Sequence, residues 1–181
     1  MRQPTGVLIF AIAALWTVGA TADPVIFQPT DCDFQVSFPA APAPSQTKAP
    51  TSRGDVVVID KASLSLDVDG KSNYLRAECT HIPDMGFVDE DVLNNVMQEL
   101  GGTYKLQNVT TGIEHNAIAG PIGRLHGKGR VGGKDMTFEI RRYTSKTAIF
   151  DVWIGTEPDA FPSSTDTAFL KSVTLDGQVV P

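Results

Sequence analysis

Four side chains at alternate positions, Arg124, His126, Lys128 and Arg130, put three fixed positive charges and one imidazole on one side of an extended segment. On a chain rich in acids, such a row could bind a carboxylate, a phosphate or an acidic partner surface. With Gly132-Gly133 as a two-residue turn, counting outward pairs Val131 with Lys134 and Arg130 with Asp135. The same count pairs His126 with Glu139, Leu125 with Ile140 and Arg124 with Arg141. The row therefore has two readings. Arg124, Lys128, Arg130 and Arg141 form a contact surface for an anionic partner, or they decorate a solvated face. Exposed ion pairs of the second kind contribute only about 0–1 kcal/mol each.

Other motifs are weaker. Gly127-Lys128-Gly129-Arg130-Val131-Gly132 matches G-x-G-x-x-G, but that loop holds a pyrophosphate only where it opens a helix, and here it lies in a strand. Asp67, Asp69 and Glu78 have the spacing of a calcium loop, yet Lys71 and Ser72 stand where a ligand oxygen and a glycine are needed. His81, His115 and His126 stand singly, without the spacing of a metal centre, and no G-x-S-x-G marks a nucleophile. Neither a catalytic set, a metal centre nor a cofactor is expected. Asn108-Val109-Thr110 is a glycosylation sequon only in a eukaryotic host.

Cys32 and Cys79 are the only cysteines. Cys32 shares a strand face with Phe34, Val36 and Phe38, and Cys79 shares one with Leu75 and Ala77, so both point to apolar surroundings. Outside the cytosol an even count favours a disulfide, worth about 4 kcal/mol in the chain-entropy model. The alternative is a pair of buried free thiols. No C-x-x-C supports a redox role.

The elements that must position these residues are strands with two helices among them. Residues 32–38 alternate apolar and polar and stop at Pro39, and the proline-rich stretch 39–50 reads as an extended surface loop. Asp69-Gly70 marks a hairpin between an extended stretch ending at Val68 and residues 74–82. Asp89 caps a helix with Val92, Leu93, Val96, Met97 and Leu100 on one face, ended by Gly101-Gly102. A four-strand meander follows over 113–118, 125–131, 136–143 and 148–154, then a short helix capped by Ser163 or Ser164. Strands with one helix inserted and one at the end indicate an α+β fold on an antiparallel sheet.

Export follows from the first residues. Arg2, an apolar run and the triplet Ala20-Thr21-Ala22 read as a signal peptide over 1–22, leaving one domain over 23–181. Removing 22 residues from 181 leaves 159, and losing Arg2 moves the formal charge from −6 to −7. That balance argues against nucleic acid and anionic membrane surfaces as partners. After cleavage no run approaches the roughly 18 apolar residues of a membrane span. Cys32, preceded by Pro29-Thr30-Asp31, is not placed for lipidation.

The order of these elements resembles the PsbP-like family. The resemblance rests on Asp33-Phe34-Gln35-Val36-Ser37-Phe38-Pro39, the helix from Asp89 to Leu100, Gly120-Pro121-Ile122-Gly123, and Phe169-Leu170-Lys171-Ser172-Val173. It implies an α-β-α sandwich around a central antiparallel sheet, which would let a helix partly cover the charged hairpin face. It also implies no shared catalytic residues, since its members serve mostly as accessory or interaction modules. The resulting expectation is a periplasmic or secreted, non-enzymatic module that binds an unknown envelope protein. The alternative is a small-ligand or metal-binding protein with His81, His115 or His126 near a pocket.

Overall fold

The structure is a computed structural model and describes residues 23–51, 54–83, 85–86 and 88–180. The expected leader, residues 1–22, lies outside the described residues. The first strands are β1 (Val25–Phe27), β2 (Phe34–Phe38), β3 (Ala43–Pro50), β4 (Val56–Val68) and β5 (Lys71–His81). Helix α1 (Glu90–Thr103) precedes the meander β6 (Gln107–Asn116), β7 (Gly120–Val131), β8 (Lys134–Thr144) and β9 (Ala148–Thr156). Helix α2 (Ser164–Lys171) and two short strands, β10 (Thr174–Leu175) and β11 (Gln178–Val179), close the described chain. The fold is α+β and mostly strand.

Turn chemistry sets the register. Gly132 and Gly133 have φ of 58° and 85°, the left-handed pair that lets two residues reverse a twisted hairpin. Strands β7 and β8 then pair from Val131↔Lys134 back to Gly123↔Arg142, in the register expected from counting outward. Asp69 and Gly70, at φ 53° and 76°, do the same for β4 and β5. The result is a seven-stranded antiparallel sheet in the order β3-β4-β5-β9-β8-β7-β6. A second, four-stranded sheet runs β1-β2-β10-β11.

Strand β9 lies inside the large sheet and has apolar partners on both faces. Phe150, Val152 and Ile154 join Leu75, Ala77, Tyr143 and the α2 residues Phe169 and Leu170. Trp153 faces the other way, with Leu125, Ile140 and Met97 of α1. The two helices therefore pack on opposite faces of the sheet. Burial on both sides explains why residues 148–154 are apolar almost throughout rather than alternating. Strand β2 seals one core: Phe34 stacks on Phe150 at 5.5 Å, and Phe38 meets Phe169 at 4.7 Å. Cys32, just before β2, is bonded to Cys79 of β5, with Cα atoms 6.5 Å apart. The bond ties the small sheet to the large one.

The helices end and begin for local reasons. The Asp89 carboxylate accepts from the Asp91 amide at 2.9 Å, and Glu90 and Asp91 meet the positive end of α1. Ser163 and Asp166 form a reciprocal capping box for α2.

Several expectations need correction. Helix α1 runs through Gly101-Gly102 to Thr103. A Cβ on Gly101 would stand 2.9 Å from a methyl of Val109, so this glycine permits close helix–strand approach rather than stopping the helix. Val92, expected on the packed face, is 53% exposed. The proline-rich stretch is not a loop: residues 43–50 form β3, paired with β4 from Ala43↔Ser63 to Pro50↔Val56. Proline is tolerated there because β3 is an edge strand, where a missing amide donor leaves no partner unpaired.

Candidate functional site

The hairpin brings the expected site residues together and matches most of their charges. Arg124 Nη2 donates to Glu139 Oε1 at 3.1 Å, and its Nη1 lies 3.6 Å from Glu114 Oε2. Arg141 Nε donates to the same Glu139 oxygen at 2.7 Å. Two arginines and two glutamates thus form one network across β6, β7 and β8. Arg130 pairs with Asp135 at 3.2 Å and donates to the Gly133 carbonyl at 2.5 Å. Lys128 is exposed, opposite Thr137, with no carboxylate partner recorded among the described residues. The side chains of Arg124 and Arg130 are 44% and 69% exposed, whereas that of Arg141 is 15% exposed. Arg141 therefore belongs to the wall behind the row rather than to its surface.

Electrostatics agree with that division. Burial works to lower the Arg141 pKa, but its hydrogen bond to Glu139 and the charges around it raise it overall. Behind it, burial pushes the Tyr143 phenol up to about 12, against the opposing pull of Arg141. His126 lies opposite Glu139 in the register, yet its ring packs edge-on against Phe161 at 5.4 Å. Phe161 precedes α2, so a connecting loop touches one part of the hairpin face, where His126 stays exposed.

The remaining motifs settle into structural roles. The glycine pattern 127–132 is the interior and end of β7, with no helix after it. Asp67 Oδ1 accepts from the Gly70 amide at 2.8 Å and closes the hairpin turn, while Glu78 pairs with Lys61 and Arg76. His81 ends β5, His115 is exposed on β6 near Glu90, and His126 is on β7. Among the described residues no group of three or more His, Cys, Asp or Glu is placed to hold a metal ion.

Two features lay beyond sequence reasoning. The first is a charged row on the sheet face that carries α1, where register aligns Lys61, Glu78, Asp151 and Arg142 across β4, β5, β9 and β8. Arg142 grips Asp151 with two bonds of 2.7 and 2.6 Å. Arg76 reaches Glu78 and lies 5.3 Å from the Trp153 ring. Asp151 alone within an apolar run was the available signal, because a carboxylate there requires a buried partner. The second is a cleft of about 770 Å³ beside the disulfide, bounded by the β1–β2 connection, the β3–β4 hairpin and the chain after β5. It is assembled from four separate stretches of chain, and no local motif marks it.

No helix among the described residues is long and apolar enough to cross a membrane. No family model matches the chain, and no curated protein matches it. Among solved structures the chain is similar to LpqN of Mycobacterium tuberculosis, described as involved in cell envelope biogenesis. The two are 16% identical over 91% of this chain and 88% of that one, with a TM-score of 0.39. At that distance the likeness transfers neither residues nor activity.

Proposed function

We propose that the chain is an exported, non-enzymatic interaction module of PsbP-like type that binds an anionic partner protein in the periplasm or outside the cell. The observation that carries this reading is the outward presentation of Arg124, Lys128 and Arg130 by a hairpin whose register is set by a two-glycine turn. Export is supported by the Cys32–Cys79 bond, which persists in oxidising compartments. The α-β-α sandwich is supported by α1 and α2 packing on opposite faces of the large sheet. The ion pairs at Glu139 and Asp151 and the capping bonds at Asp166 favour a structural use of these buried acids over a catalytic one. The reading requires no cofactor.

A photo-crosslinking residue placed at Lys128 in the native host tests it, with the same residue at Lys48 on β3 as control. A defined adduct at 128, absent at 48 and lost in Arg124→Ala/Arg130→Ala, is the expected result. Equal labelling at both positions, or an adduct indifferent to the double substitution, removes the surface assignment.

A further inference from the structure

We propose that the outer edge of β6 pairs with the same edge of a second copy of this chain, joining two seven-stranded sheets around a two-fold axis. The inference shares Arg124 with the hairpin row but needs no anionic partner, so the purified chain alone tests it. The two edges of the sheet differ in kind. Strand β3 carries Pro44, Lys48 and Pro50, which discourage an added strand, whereas β6 has no proline, lysine or arginine. Among the described residues no strand pairs with the outer side of β6.

The extent of the regular edge sets the register. Strand β6 follows β7 residue for residue from Thr110↔His126 to Asn116↔Gly120, and its register shifts before Thr110. The regular segment is therefore residues 110–116, and its middle is Ile113. In a two-fold pair, each residue meets the one equally far from the centre on the other copy. When the whole segment is used, Ile113 meets Ile113, Gly112 meets Glu114, Thr111 meets His115 and Thr110 meets Asn116.

Charge and shape agree with that register. Gly112 lies between Arg124 of β7 and the open edge, and a Cβ built on it would meet nothing within 4 Å. A glycine inside a strand often marks the close approach of another backbone. Glu114 of the second copy stands in that gap, within reach of Arg124, and the two-fold axis repeats the contact. Arg124 Nη1 already lies 3.6 Å from Glu114 Oε2 of its own chain, with the two side chains 44% and 42% exposed. The pairing thus closes a ring of four alternating charges around the axis. On the opposite face, which carries α1, the two Ile113 side chains meet at the axis.

Sedimentation equilibrium of the purified mature chain should give a dimer. Gly112→Glu sets a like charge against Glu114 at two symmetric places and should weaken association about tenfold. Gly112→Lys offers Glu114 an opposite charge at the same places and should keep the dimer. Position 112 has open space for either side chain, and circular dichroism checks that both variants are folded. Register is read by oxidation, to which Cys32 and Cys79 are silent because they are bonded to each other. Residues opposed in an antiparallel pair have Cα atoms about 4.5–5.5 Å apart, within disulfide reach, so Ile113→Cys should give a covalent dimer. His115→Cys is more exposed but lies about 14 Å from its own counterpart, and should not. A chain that stays monomeric at every attainable concentration overturns the proposal. So does equal association of the two Gly112 variants, or cross-linking no better at 113 than at 115.

Discussion

Arg142 and Asp151 form a two-pronged pair whose side chains are only 14% and 9% exposed, so each is held in place chiefly by the other. Removing one partner strands a charge in a poorly hydrated place, whereas replacing both with apolar groups does not. Arg142→Ala is expected to lower the unfolding free energy by about 3 kcal/mol, and Arg142→Met with Asp151→Leu to stay within about 1 kcal/mol of wild type. Urea denaturation of the single and paired variants measures both. Tyr143 makes a pH prediction. Its phenol titrates near 10 when unfolded and is raised to about 12 when folded, because burial disfavours phenolate. A raised folded pKa contributes stability that is fully present below pH 10 and is lost as pH rises toward 12. By linkage the loss is roughly 2–3 kcal/mol across that window. Urea midpoints taken from pH 9 upward should therefore fall more steeply for wild type than for Tyr143→Phe. Parallel curves would show that the phenol does not titrate differently on unfolding.

Among the elements, the disulfide joins the segment before β2 to β5, and thus one sheet to the other. Its cysteines are 47 positions apart, for which chain entropy gives about 4 kcal/mol. Intact mass should rise by two hydrogens on reduction. Cys32→Ala/Cys79→Ala should lose stability on that scale, with hydrogen exchange rising first in β1 and β2. Undiminished protection there would mean that Phe34, Val36 and Phe38 hold the small sheet unaided. Hairpins and capped helices were legible in the sequence because Asp69-Gly70, Gly132-Gly133, Asp89 and Ser163 each act within a few residues. Strand β3 was not legible: Pro44 and Pro50 look like loop residues until an edge position makes them harmless. The pairing of β2 with β10, Gln35 against Thr174, joins opposite ends of the chain and has no local signature. The hairpin row could be read from period and turn. The cleft could not, because residues 30–31, 46, 55–60 and 81–85 meet only after the sheets are assembled.

At the scale of the whole molecule, an open seven-stranded sheet has two exposed edges that could recruit other sheets. The β3 edge carries Pro44, Lys48 and Pro50, and β6 has a register irregularity between Gln107 and Thr110, where Asn108 sits at φ 51°. Each device interrupts a regular pairing edge. Pro44→Val/Lys48→Val/Pro50→Val is expected to restore one and shift sedimentation toward larger species than wild type forms as concentration rises. An unchanged sedimentation profile would relieve those residues of that role.

The four-stranded sheet bears on how the chain is closed. Its outer strands, β1 and β11, are the first and last of the described chain, three strand spacings apart, about 14 Å sideways, with Val25 level with Phe38 and Val179 level with Gln35, an offset of about 10 Å along the strands. A short flexible linker spans that gap. The molecule can then be treated as a ring: joined there and cut open between Asp69 and Gly70, it retains every strand neighbour described above. Where the polypeptide starts is separable from the shape it takes, and either face could be offered at the end of a tether by moving the cut.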